Sequence, residues 1–116
     1  MKEYISIDIG GTAIKYGVVR EDGTILCRSE MATEAYKGGP AILEKALGIV
    51  EKLAGTYRIG GICISTAGMV DTRKGEIFYS SPLIPHYAGT KFKETMEERF
   101  GLPCEVENDV NCAGLA

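Results

Sequence analysis

An Ile-rich run from Tyr4 to Ile9 stops at Gly10-Gly11, and a second apolar run begins at Ile14. Joining two parallel strands takes a crossover of about a dozen residues or more. Gly10-Gly11-Thr12-Ala13 leaves no room for one, so the two runs are predicted to fold back as an antiparallel hairpin. Asp22-Gly23 marks another tight turn, and Thr24 to Met31 supplies a third strand. A chain that opens this way is committed to an antiparallel meander before any helix appears.

Lys37-Gly38-Gly39-Pro40 ends the strands and opens a helix. Leu43, Ala46, Leu47, Val50, Leu53 and Ala54 recur on one face of it, and Gly55 is a stop signal. Ile59 to Ser65 reads as a buried strand parallel to the first, followed by a small-residue loop, Thr66-Ala67-Gly68. Asp71 to Gly75 is turn-like, Glu76 to Tyr79 is a weak short strand, and Ser80 to Gly89, with two prolines, is irregular loop. Thr90 to Phe100 is a second helix, with Phe92, Met96 and Phe100 at four-residue spacing and Thr90 as N-cap. Gly101-Leu102-Pro103 ends it. Cys104 to Glu107 is a last strand, and Asn108 caps a helix that begins near Asp109 and still runs at Ala116. The class is α/β and the order βββαβαβα, with a weak extra strand near residue 77.

A chain of 116 residues suffices for one domain with a modest core. A net charge of -3 leaves no basic excess to neutralise nucleic-acid phosphates. No stretch approaches the roughly 20 apolar residues of a membrane span, and the start lacks a signal peptide's apolar core. None of Cys27, Cys63, Cys104 and Cys112 forms a CxxC pair, and the only histidine is His86, which argues against a zinc site in this segment. Cys27, Cys63 and Cys104 lie in apolar runs and read as buried reduced thiols, which suits a cytoplasmic location. Because the last helix has no stop signal, residues 1–116 are expected to be a fragment, or the first domain of something longer.

Two segments carry chemistry. In Asp8-Ile9-Gly10-Gly11-Thr12 the glycine pair permits positive φ and lets a phosphate approach the amides, Thr12 adds a hydroxyl donor, and Asp8 offers a hard oxygen for Mg²⁺. The segment is neither a Walker A loop nor GxGxxG, and a tight turn with Asp8 capping loop amides describes it equally well. In Glu107-Asn108-Asp109-Val110-Asn111, Asp109 sits in a first helical turn, where the helix dipole favours its ionised form. An ionised Asp can take the proton of a hydroxyl attacking a γ-phosphate, and Asn108 can both donate to and accept from a polyol. In isolation, helix capping is the stronger reading of this second segment. Together the two point to phosphoryl transfer to a hydroxyl.

On this order of elements, the two segments resemble the ROK family of sugar kinases and related repressors, part of the actin, hexokinase and Hsp70-like ATPase superfamily. Ala67-Gly68-Met69-Val70-Asp71 is similar to the family's Pro-Gly-x-Val-Asp loop, and Ser81-Pro82-Leu83-Ile84-Pro85 stands where Ala-Pro-Asn-Leu-Pro is usual. The resemblance implies an RNase-H-like (actin-like ATPase) domain with a mixed five-stranded sheet. It implies ATP phosphates on Gly10, Gly11 and Thr12, Mg²⁺ at Asp8, sugar hydroxyls on Gly68 and Asn108, and Asp109 as base for a hydroxyl, typically at C6 of a hexose. A zinc-binding Cys/His cluster and the adenosine-binding domain would lie beyond Ala116, so the segment alone is expected to be inactive. The full-length protein is expected to be a homodimer acting on a small-molecule sugar.

Two departures stand out. Ala67 replaces a proline, and Leu83 replaces an asparagine that usually bonds the sugar. A site built for a polar contact discriminates strongly when that contact is lost, which disfavours plain glucose and leaves room for a glycoside or an N-acetylhexosamine. Leu83 packing in the loop, with another residue serving the sugar, is the other reading. The expected activity is therefore ATP-dependent phosphorylation of a hexose or hexose derivative. The alternative is a sugar-responsive ROK-type regulator or non-catalytic sensor, against which the retained glycines and carboxylate argue.

Overall fold

The computed structural model describes residues 2–66, 69–71, 76–79 and 90–108. The meander forms as expected from β1 (Glu3–Ile9), β2 (Ala13–Arg20) and β3 (Ile25–Ala32). Both turns are closed locally. The Gly10 N–H donates to Ala13 O at 3.0 Å, and Gly23, at φ +93°, lets Arg20 and Thr24 pair beneath Asp22. Close approach also requires Gly17, because a Cβ there would run into the carbonyl oxygen of Cys27 on β3.

After one 3-10 turn at Ala35–Lys37, α1 (Gly39–Ala54) crosses the sheet and returns the chain to β4 (Ile59–Thr66). β4 lies parallel to β1, and β7 (Cys104–Asn108) lies parallel to β4. The five-stranded sheet has the order β3-β2-β1-β4-β7 and is mixed, antiparallel on the meander side and parallel on the other. Its register puts Ile5, Ile7 and Ile9 of β1 beside Ile62, Ile64 and Thr66 of β4, all on the face that meets the helices. The three β1 isoleucines are fully buried, each worth about 1.5–3 kcal/mol of transfer free energy.

The buried face of α1 is Ile42, Ala46, Leu47, Ile49, Val50 and Leu53. Leu43, expected in that face, is only half-buried, and Ile42 and Ile49 carry the contact instead. Gly55 ends the helix in a right-handed conformation (φ −76°), its N–H donating back to Glu51 O and Leu53 O. The second helix, α2 (Phe92–Phe100), starts later than the sequence implied. Thr90 is buried and is not its N-cap; Lys91 takes that place without a side-chain capping bond. Phe92 and Met96 are fully buried, Phe100 half-buried, and the helix stops at Gly101 with φ +66°, where a side chain is disfavoured.

Lys93 ties α2 to the start of β7. Its ammonium donates to Cys104 O at 2.6 Å and to Glu97 Oε2 at 3.0 Å, and the same carboxylate accepts the Cys104 N–H at 3.0 Å. The Cys104 thiol is buried, and burial pushes its pKa up to about 12, so it stays protonated and inert. Cys27 and Cys63 are not in disulfides and are only half-buried, contrary to the expectation of buried thiols.

A two-stranded ribbon, β5 (Met69–Asp71) and β6 (Glu76–Tyr79), forms a second sheet of its own, with β5 near β7. The expected strand near residue 77 is β6; its partner β5 begins in what was read as loop. The expected loop from Ser80 to Gly89 and the helix from Asp109 lie outside the described residues. Among the described residues, no helix is long and apolar enough to cross a membrane.

Candidate active site

Because β1, β4 and β7 are parallel, their C-terminal ends fall on one edge of the domain. The last register row is Ile9–Thr66–Asn108. Gly10 follows Ile9 directly, and Asp109 follows Asn108. The glycine turn and the Asn108 segment therefore leave the sheet at the same end, separated by one strand. With neighbouring strands about 4.8 Å apart, β1 and β7 are about 10 Å apart there. Ligands of open α/β sheets bind outside these carboxyl ends.

Neither Gly10 nor Gly11 takes a positive φ, so conformational freedom is not what the pair provides. Gly10 provides closeness. Its N–H is consumed within the turn, and an added Cβ would stand 3.0 Å from Ala13 O. Gly11 provides access, since a Cβ there would meet nothing within 4 Å. Gly11 and Thr12 are exposed, and among the described residues no backbone acceptor takes either amide. Of the three expected phosphate contacts, Gly11 and Thr12 thus retain free donors, whereas the Gly10 amide does not.

Thr33, which the sequence did not single out, sits behind the turn. It is fully buried. Its hydroxyl donates to Gly10 O at 2.8 Å and its N–H donates to Thr12 O at 2.9 Å. The next residue, Glu34, is the only non-glycine with positive φ among the described residues (φ +53°). Its carboxylate meets Lys45 at 2.8 Å, Lys37 at 3.1 Å and the Tyr36 hydroxyl at 3.0 Å.

These donors, Lys45 first, hold the Glu34 carboxyl far below its ordinary 4.5, at about 2. A depressed carboxyl pKa stabilises the fold fully above the ordinary value, and that contribution is lost as pH falls from 4.5 toward 2. Glu34→Gln should therefore shallow the fall in Tm through that acid window, which thermal unfolding of both proteins against pH will measure. Parallel curves would show that the ion pairs contribute nothing.

Asp8 lies on the sheet face opposite the isoleucine core, in the row Asp8–Ser65–Glu107. It is exposed, and the Ser65 hydroxyl donates to its Oδ1 at 3.1 Å. Ser65 is 7% exposed, so it fixes the carboxylate from a buried position. The other carboxylate oxygen has no hydrogen-bond or ion-pair partner among the described residues. That arrangement fits Mg²⁺, which keeps several waters and takes one or two carboxylates together with substrate phosphates. Of the residues expected to face sugar, Asn108 ends β7, and Gly68, Leu83 and Asp109 lie outside the described residues.

A mixed β3-β2-β1-β4-β7 sheet whose first hairpin turn and last strand open on one edge is the actin-like ATPase fold. The chain belongs to the ROK family, whose profile matches residues 4–116. It is 57% identical over 109 residues to an uncharacterized protein of Clostridium perfringens, covering 94% of this chain and 37% of that one. It is 36% identical over 111 residues to a beta-glucoside kinase of Listeria innocua, covering 96% and 36%. Among solved structures, the ROK family glucokinase of Streptomyces griseus in complex with glucose and AMPPNP matches with a TM-score of 0.82 at 33% identity, over 97% of this chain and 35% of that one. The chain thus spans a little over a third of the length of these relatives.

Proposed function

We propose that the full-length protein transfers the γ-phosphoryl group of ATP to a hydroxyl of a hexose or hexose derivative, with this segment forming the phosphate-binding wall and the base side of the cleft. The observation that carries the reading is the register row Ile9–Thr66–Asn108, which brings the start of the glycine turn and Asn108, the residue before Asp109 in sequence, to one edge. The names of the relatives support it, since a beta-glucoside kinase and a glucokinase each match nearly the whole chain.

In this mechanism the Gly11 and Thr12 amides, with the Thr12 hydroxyl, hold the phosphates by hydrogen bonds to anionic oxygens. Asp8, oriented by Ser65, holds Mg²⁺, which when bound neutralises phosphoryl charge. Gly68 and Asn108 orient the sugar, and Asp109 takes the proton of the attacking hydroxyl. Asp is a weak base, with an unperturbed pKa of about 3.9, so positioning of the hydroxyl supplies much of the effect. Leu83 in place of a polar residue favours a glycoside or N-acetylhexosamine over glucose.

The test is a panel of glucose, a β-glucoside and N-acetylhexosamines incubated with ATP, Mg²⁺ and the full-length protein, with ADP and sugar phosphate measured. Turnover is expected, fastest on a derivatised hexose. Sugar binding by calorimetry with no ADP release from any sugar would sink the kinase reading and favour a sugar-responsive regulator.

A further inference from the structure

Thr33 lies outside both segments of the expected chemistry, yet it contacts both ends of the glycine turn. Its hydroxyl takes the Gly10 carbonyl and its amide takes the Thr12 carbonyl. A trans peptide is planar, with C=O and the following N–H pointing in opposite directions. Fixing the Gly10 carbonyl inward on Thr33 therefore aims the Gly11 N–H away from Thr33, and Gly11 itself is exposed. If that peptide flipped, a carbonyl oxygen would face an incoming phosphate instead of a donor.

Thr33 is itself held from both sides. Lys45 of α1 donates to Ala32 O at 2.7 Å and to Thr33 O at 3.0 Å, the carbonyls before and after the Thr33 side chain. The same ammonium pairs with Glu34 at 2.8 Å, whose left-handed backbone turns the chain away immediately after Thr33. A non-glycine residue persists in that conformation only where its surroundings over-determine it. Here three donors on the Glu34 carboxylate do so.

We infer that Thr33 is a positioning residue for nucleotide binding: braced by Lys45, it locks the Gly10–Gly11 peptide with its N–H facing the phosphates. The inference rests on the phosphate-binding role proposed for the turn. It assigns to Thr33, the residue after β3, and to Lys45 of α1 a part in ATP recognition that acts through the turn.

The experiment compares wild type, Thr33→Val, Thr33→Ser and Lys45→Met in the full-length protein. Affinity for AMPPNP with Mg²⁺ is measured by calorimetry, alongside the KM for sugar and Tm. Thr33→Val, which keeps the shape and deletes the hydroxyl, should weaken AMPPNP binding about tenfold, the size of one charge-assisted hydrogen bond, with the sugar KM unmoved. Thr33→Ser should restore affinity, and Lys45→Met should weaken it in the same direction without altering the turn's own sequence. Unchanged AMPPNP affinity in both Thr33→Val and Lys45→Met would overturn the inference. So would an equal loss for sugar and nucleotide that Thr33→Ser fails to rescue, the mark of a purely structural residue. Failure of the wild type itself to bind AMPPNP would overturn the phosphate-binding reading, and this inference with it.

Discussion

Asp109→Ala in the full-length protein is expected to lower kcat about 10²–10⁴-fold, the usual worth of a positioned general base, while the KM for sugar moves little. The segregation follows from timing. A carboxylate acting as the proposed base gains most from its proton partner as the hydroxyl attacks, so its loss would be felt in the transition state rather than in ground-state binding. Asp109→Asn separates two roles. It keeps a hydrogen-bonding group of the same shape but cannot take a proton, so a true base predicts that Asn fails nearly as badly as Ala. Steady-state kinetics on the three proteins decide the matter, and a kcat for Asp109→Asn near that of wild type would remove Asp109 from the chemistry.

Gly11→Val should raise the KM for ATP about 10–100-fold, which is what losing a hydrogen bond to a charged phosphate implies, while leaving Tm unchanged. The geometry makes this a clean experiment. A Cβ at Gly11 meets no protein atom within 4 Å, so the fold has no reason to object, yet the role proposed for the turn puts phosphate in the same space. Gly10→Val is the contrast. There a Cβ lies 3.0 Å from Ala13 O across the turn, so both Tm and ATP affinity should fall. If Gly11→Val kept its affinity for ATP, the nucleotide would have to bind elsewhere than at this turn.

The strands of the main sheet were legible because each combines an apolar pattern with a strong terminator. Gly10-Gly11 and Asp22-Gly23 left the first three strands only one way to pair. The face of α1 was legible as a helix but not in its phase. Ile42 and Ile49 displace Leu43 because the sheet, not the helix, decides which stripe is covered. β5 was hidden because Gly68 and Asp71 are turn-formers by composition, and a three-residue strand has too little pattern to outvote them. Thr90 looked like a cap by residue type, yet it is buried and α2 starts beyond it.

The sequence singled out Asp8, Gly10-Gly11 and Asn108-Asp109 because chemistry demands unusual residues there; of these, the parallel register sets Asp8, the turn and Asn108 at one end of the sheet, and Asp109 lies outside the described residues. Of the two reasons given for the glycines, positive φ does not hold, since neither takes it, whereas open access fits Gly11 and close approach within the turn is an added reason at Gly10. Thr33 and Ser65 were missed because a threonine after a strand and a serine at the end of one are ordinary. A signal for Thr33 was nevertheless present. The β2–β3 register pairs Ala13 with Ala32, so one further step sets Thr33 across from Thr12. Ser65 required the parallel register, which a sequence does not declare.

That parallel register also governs how the domain comes into being. Ser65 and Asp8 are 57 residues apart in the chain, and they meet only after α1 has carried β4 alongside β1. Contacts of such long sequence separation form late and slowly, because the loop must close before any pairing rewards it. The meander can form early and present a finished glycine turn, but β4 is the strand that both orients Asp8 and spaces the turn from β7. Until β4 pairs with β1, the turn exists without a fixed Asp8 and without its spacing from β7.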